Sequence, residues 1–304
     1  MHELVLFCKS YDRDMLRARR MADSVMRFNS DKIPLILSVP EKDLKAFQKC
    51  FANIPCSFYT DESILAESAK KNGPLPKIYP QHLLQQLIKL EFWQLGLCEN
   101  YLWIDSDSYF LKDFGKNEFF HESGTPYIFQ KEYNPEEELK RMAYVPSKIR
   151  ERRIHDDETL ILKFQKYFGN SKPLLKFASA MPIMWSVAVL ESFNNDHLKN
   201  IGKNIYEFLN DYPCETQIYG EYLHASKIIP IHPRPFLFKT FLYADDFYIS
   251  QMQGESEYSI AKNYHGICMQ SNWALIREKK KTSERLKKHF HEFLRALGFL
   301  SFKK

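Results

Sequence analysis

Residues Tyr101-Leu-Trp-Ile-Asp-Ser-Asp-Ser-Tyr-Phe110 constrain this chain more than any other segment, because an apolar run there ends on two carboxylates. Tyr, Leu, Trp and Ile in succession read as a strand buried on both faces, inside a sheet covered on each side. On an extended backbone Asp105 and Asp107 stand two positions apart and point to the same side. Hard oxygen donors at the C-terminal end of a buried strand suit a divalent cation, Mg²⁺ or Mn²⁺. That end is also where open α/β sheets bind ligands. The plainer alternative is a carboxylate that caps a following helix.

The segments before it supply the rest of a sheet. Leu4–Cys8 reads as a first strand, 15–28 as a helix and 33–39 as a second strand. Residues 41–51 carry Leu44, Phe47 and Phe51 at helical spacing, and 56–60 reads as a short third strand. This βαβαβ order predicts an α/β chain with a mixed, mainly parallel, Rossmann-like sheet flanked by helices. A further helix is expected over 82–97. Gln81, Gln85 and Lys89 fall four apart on it, a polar stripe whose plain reading is a solvated face.

Composition removes several classes. With 304 residues, 44% hydrophobic and 15% aromatic, the chain has ample core material and is not of the disordered type. The six cysteines show no CxxC pairing, which predicts reduced thiols and a cytoplasmic setting. The opening apolar run is too short for a secretory segment, and no stretch approaches the ~20 apolar residues that span a bilayer. Residues 277–304 hold ten Lys/Arg against three Glu, a net +7, so the other 276 residues are near neutral at about −2. A near-neutral body without interleaved basic and aromatic patches argues against nucleic acid as a partner. The tail places Leu286, Phe290, Phe293, Leu297 and Leu300 at spacings of 4, 3, 4 and 3. It therefore reads as a C-terminal basic amphipathic helix suited to an anionic membrane surface.

Two carboxylates leave room for a third metal ligand from a distant segment, and His265 is the candidate. It precedes Gly266, which would let a phosphate approach the backbone, and Trp273 follows. In combination, the N-terminal βαβ region, the Asp105-Ser106-Asp107 strand end and the late His265-Gly266…Trp273 loop resemble metal-dependent glycosyltransferases of the GT-A fold. The closing segment is similar to the H-x-G…K-P-W loop of glycogenin-like transferases, with Ser271-Asn272-Trp273 in place of Lys-Pro-Trp. Gln85 to Leu90 and Glu215 to Gly220 look like an uncharacterised bacterial family of such transferases, related to surface-polysaccharide, lipooligosaccharide or capsule assembly.

The resemblance implies a nucleotide-sugar donor, most of all a UDP-sugar, a glycan or lipid-linked acceptor, and Mn²⁺ or Mg²⁺ held by Asp105, Asp107 and His265. It implies donor contacts from Ser10, Tyr11, Lys89, Ser106 and Gly266. Glu215 is the expected general base, with Asp156 and Asp157 in reserve; in a retaining enzyme Glu215 and Gln217 would instead position the sugar face. The expected organisation is one domain over residues 1–275, with a nucleotide-sugar half (1–115) and an acceptor half (116–275), and a tail over 276–304. Its expected place is the cytoplasm, on the inner face of the membrane. Two other classes compete: a haloacid-dehalogenase-type phosphatase with Asp105 as nucleophile, and a non-enzymatic module that binds membranes through its tail.

Overall fold

The structure, a computed structural model, describes residues 1–270 apart from 143–146, 172, 178–180 and 243. The basic tail and Trp273 lie outside the described residues. The chain forms β1 (His2–Lys9), α1 (Met15–Phe28), β2 (Leu35–Val39), α2 (Leu44–Cys50), β3 (Cys56–Thr60), α3 (Asp61–Asn72), α4 (Gln81–Glu91), β4 (Cys98–Trp103) and β5 (Ser108–Phe110). It continues through β6 (Ile128–Phe129), β7 (Lys131–Glu132), α5 (Pro135–Arg141), α6 (Ser147–Phe168), β8 (Leu175–Lys176), β9 (Ile183–Ser186), α7 (Val187–Ser192), α8 (Ile205–Asp211) and α9 (Glu215–Ser226). Last come β10 (Pro233–Arg234), β11 (Phe238–Phe241), α10 (Ala244–Met252), α11 (Glu257–Asn263) and β12 (Gly266–Met269).

The central sheet has the order β3-β2-β1-β4-β9, parallel except for β9, which runs antiparallel to β4. It is the mixed, mainly parallel and helix-flanked arrangement that the pattern of strands and helices predicts. Leu4 to Cys8 are all almost fully buried, as a strand covered on both faces requires. Phe7 stacks on Phe92 with ring centroids 3.9 Å apart, and Tyr101 meets both rings edge-on. From β1 the chain builds outward through β2 to β3, then returns to lay β4 on the other side of β1. The strand order reverses there, so a crevice opens between the C-terminal ends of β1 and β4. Lys9 and Ser10 end one of these strands, and Asp105 follows the other.

A second sheet, β11-β12-β5, brings the latest described strand to the segment just after β4. Here β12 runs antiparallel to β5, with Cys268 opposite Ser108 and Gly266 opposite Phe110. Helix α1 packs on β5, and the Phe110 N–H donates to Ser24 Oγ at 3.0 Å. One hydrophobic core extends from Leu4 to Cys268, so late segments share it with the first strand.

Helix α9 is held against β9 by Tyr219, whose hydroxyl accepts the Ser186 N–H at 2.9 Å while its ring stacks on Trp185. Gly220, on the same helix, lies flush against Phe177. A methyl group at 220 would stand 2.2 Å from that ring. Gly220→Ala should therefore overpack the α9 contact and destabilise the protein by about 1–3 kcal/mol despite alanine's better helix propensity. Urea unfolding would show a lower midpoint; an unchanged or higher midpoint would refute this account of the glycine.

Candidate functional site

The segment expected to be extended at Asp105 is a turn. Strand β4 stops at Trp103, and the Ser108 N–H donates to the Asp105 carbonyl at 3.0 Å. Before the turn, the Ile104 N–H still donates to Phe7 O at 2.8 Å, and after it Met269 N–H donates to Asp107 O at 2.9 Å. The turn is thus pinned to β1 on one side and to β12 on the other. In consequence the two carboxylates meet different neighbours. Asp105 faces α4 and α9, and Asp107 takes a contact from Cys268 Sγ at 3.6 Å. Ser106, between them, is buried.

Lys89 joins the elements. Its Nζ lies 2.9 Å from Asp105 Oδ1 and 3.5 Å from Glu215 Oε1, and sits over the Trp103 ring at 3.8 Å. The polar stripe on α4 is therefore solvated only at Gln81 and Gln85; at Lys89 it enters the protein. Side-chain exposure is 10% for Lys89, 12% for Glu215 and 28% for Asp105, so the cluster opens to solvent through Asp105. The Lys89 backbone is held as well, its carbonyl accepting the Tyr101 hydroxyl at 2.7 Å.

Burial disfavours the Lys89 ammonium, but Asp105 and Glu215 outweigh it and hold its pKa above the ordinary lysine value. Burial pushes the Glu215 carboxyl up, opposed in part by Lys89. Burial, and then the Asp105 carboxylate, raise the Cys8 thiol well above the cysteine range. Burial and Asp107 do the same for Cys268. Both thiols are therefore protonated neighbours of the carboxylates, not nucleophiles.

Glu215 is the first residue of α9, one past the cap position, and its N–H donates to Gln86 Oε1 at 3.2 Å. Gln217 does not join it. Its Nε2 donates to Leu175 O at 2.8 Å and to Glu221 Oε1 at 2.9 Å inside the core, so a sugar-positioning role for it is corrected. Asp156 lies exposed on α6 beside Arg152 of the same helix, at 3.6 Å. Asp157 is paired with Lys176 at 2.7 Å.

The structure does not bring His265 together with Asp107. The β5–β12 register sets His265 beside Leu111 and Met269 beside Asp107, four residues apart on one strand. At the rise of a strand the two backbone positions stand about 13 Å apart. The His265 ring instead stands 3.3 Å from Glu118 Oε2, which also pairs with Arg234 at 2.7 Å. Gly266 is explained by packing. A methyl on it would lie 2.4 Å from the Tyr109 carbonyl in the neighbouring strand, so the residue serves strand approach and not phosphate approach.

Among the described residues no group of three or more His, Cys, Asp or Glu is placed to hold a metal ion. Mg²⁺ and Mn²⁺ nonetheless need only one or two carboxylates when substrate oxygens and water complete the shell. The donor set Asp105 and Asp107 fits that kind of site and does not fit a three-ligand one.

At the end of β1, Ser10 is 1% exposed and its Oγ has no partner among the described residues. A buried hydroxyl without a partner at a strand switch point fits a polar ligand group. Beside it Lys9 Nζ pairs with Asp61 Oδ2 at 2.9 Å, and Asp61 also accepts Ser38 Oγ at 2.6 Å. Tyr11 is half-buried, its ring centroid 5.7 Å from Lys9 Nζ. Sequence reasoning missed Lys9 and Asp61. The signal was available, since Lys9 is the last residue of β1 and Asp61 the first after β3, at the C-terminal ends of parallel strands of the central sheet.

No family model matches the chain, and no curated protein matches it in sequence. Solved structures similar in fold include two glycosyltransferases. Mouse xyloside xylosyltransferase 1 in its apo form gives a TM-score of 0.46 at 10% identity, covering 89% of this chain and 98% of that one. The WbbM bifunctional glycosyltransferase gives 0.49 at 13% identity, covering 88% of this chain but 45% of that one.

The reassignment of His265 has a measurable consequence. Burial lowers its pKa below the ordinary 6.5, against the pull of Glu118, so the folded protein prefers it neutral. Stability from that preference is present above pH 6.5 and is lost as pH falls through it. His265→Asn should flatten this acid-side loss in urea titrations on either side of that pH. An equal loss in the variant would refute the assignment.

Proposed function

We propose that the protein is a glycosyltransferase that moves a sugar from a nucleotide-sugar donor to a glycan or glycolipid acceptor. The observation that carries this reading is the buried Lys89–Asp105–Glu215 cluster at the β1–β4 switch point, with Asp107 in the same turn and the unpartnered Ser10 hydroxyl across the crevice. In such a sheet this crevice takes the nucleotide. A UDP-sugar, a role in bacterial surface polysaccharide, lipooligosaccharide or capsule synthesis, and a place at the cytoplasmic face of a membrane are the finer parts of the proposal. They rest on the sequence resemblance. Among the described residues no helix is long and apolar enough to cross a membrane.

The chemistry follows from the residues. In transfer, the bond from the sugar's anomeric carbon to the donor phosphate breaks, a bond to an acceptor oxygen forms, and the acceptor hydroxyl loses its proton. Mn²⁺ or Mg²⁺, held by Asp105 and Asp107, would supply Lewis-acid neutralisation of the diphosphate. Lys89 brings a positive charge to the crevice, and its field acts on the departing phosphate oxygens. Ser10 orients the donor through its unused hydroxyl. Glu215, whose buried carboxylate holds a proton more firmly than an ordinary glutamate, accepts the proton of the acceptor hydroxyl. A carboxylate in that position also faces the developing oxocarbenium character of the sugar.

Two measurements test the proposal. UDP with Mn²⁺ should raise the apparent unfolding temperature, since ligand at about 100 times its Kd adds about 2.7 kcal/mol. Asp107→Ala should remove this shift and abolish transfer from nucleotide sugars while the far-UV spectrum stays unchanged. No shift with any nucleotide sugar would end the reading. Because Glu215 must be ionised to act as base, kcat/KM should fall as pH drops through a pKa above 4.5. Glu215→Gln should lose that limb and about 10²–10⁴ of the rate; a variant retaining both would assign the base elsewhere.

A further inference from the structure

We propose that Lys89 is a place-holding counter-ion, which keeps a divalent cation off Asp105 until a diphosphate-bearing donor draws the ammonium away, so that cation and donor bind as one cooperative event. The inference rests on the reading of this crevice as a nucleotide-sugar site, and it adds the order in which the site is filled.

Two carboxylates, Asp105 on the turn and Glu215 at the helix start, both face the Lys89 ammonium, and Asp107 lies in the same turn. Its contacts are with Asp105 Oδ1 at 2.9 Å, Glu215 Oε1 at 3.5 Å and the Trp103 ring face at 3.8 Å. An ion approaching Asp105 would meet this ammonium at a few ångströms with little water between them, and like charges repel strongly there. The site gives the ion little in return, because the β5–β12 register sets His265 beside Leu111, with its ring at Glu118 and not at Asp107. A hard cation such as Mg²⁺ also gives up its water reluctantly. Without a diphosphate, Lys89 holds the carboxylates.

A diphosphate reverses the balance. It brings at least two negative charges and several hard oxygens, which serve the ion as ligands and the ammonium as a new partner. The lysine stem is long and its three N–H groups are not bound to one planar geometry, so the head can move from carboxylate to phosphate while α4 stays in place. The Lys89 carbonyl remains tied to Tyr101, so the movement belongs to the side chain. Coupling of this kind is reciprocal: the diphosphate tightens the cation by the factor by which the cation tightens the diphosphate.

The test reads free Mn²⁺ by its paramagnetic resonance signal in titrations of the full-length protein, alone, with UDP and with inorganic pyrophosphate. Wild-type protein should bind Mn²⁺ weakly by itself and at least ~10-fold more tightly with either diphosphate, within the usual range of coupling between two sites. Lys89→Met should bind Mn²⁺ alone at least ~10-fold more tightly than wild type and lose most of the coupling. Lys89→Arg, which keeps a cation in place, should stay weak without diphosphate, and Lys89→Gln provides a second neutral variant if the methionine variant fails to fold. Tight Mn²⁺ binding by the wild-type protein alone would overturn the proposal. So would equal UDP coupling in wild type and both neutral variants, an outcome that leaves the glycosyltransferase reading standing. Absence of UDP binding under every condition would overturn both.

Discussion

An ammonium buried between two carboxylates is the interaction on which the site depends. Lys89 comes from α4, Asp105 from the turn after β4, and Glu215 from the first residue of α9. A salt bridge in such surroundings contributes little net stability, since desolvation of the charges offsets most of their attraction. What it contributes is position. Removing one partner leaves an uncompensated charge indoors, so the three elements hold one another in a single arrangement, and that arrangement surrounds the crevice left by the strand reversal between β1 and β4.

The second tether is the β5–β12 ladder. It ties the turn's far side to β12, through Met269 N–H and Asp107 O. The same register separates His265 from the turn and hands it to Glu118 and Arg234. Local sequence order and spatial order thus disagree at this strand. Met269 stands where a metal-binding histidine was anticipated, which is why the acidic turn must be completed from outside the described protein if it holds an ion.

The sheet was legible because its strands are continuous apolar runs and its helices carry amphipathic spacing; α1 spans 15–28 as read. The turn at Asp105 was not, because alternation on an extended strand and an i to i+3 turn place the same letters in sequence. The plain reading of the α4 stripe as a solvated face fails at Lys89, whose partners lie 16 and 126 positions downstream, beyond any local pattern. Gln217 and Asp156 are chemically suitable residues whose neighbours decide against them, one satisfied in the core and one paired in solvent. Gly266 was read for what might approach it from solvent, whereas its hydrogen faces the carbonyl of the adjoining strand. Polar residues at the C-terminal ends of parallel strands were the dependable signal, and it would have found Lys9 and Asp61.

The flush seat of Phe177 against α9 bears on how that helix can move. A side chain that fills the dent left by a missing methyl acts as a detent. The helix cannot slip along its axis or roll without lifting the ring out of its notch. Glu215 lies five residues toward the N-terminus, about 7.5 Å along the axis. Its carboxylate is therefore indexed in height by a contact buried in the core, and adjustment around it must come from the loops near α9 and not from the helix itself.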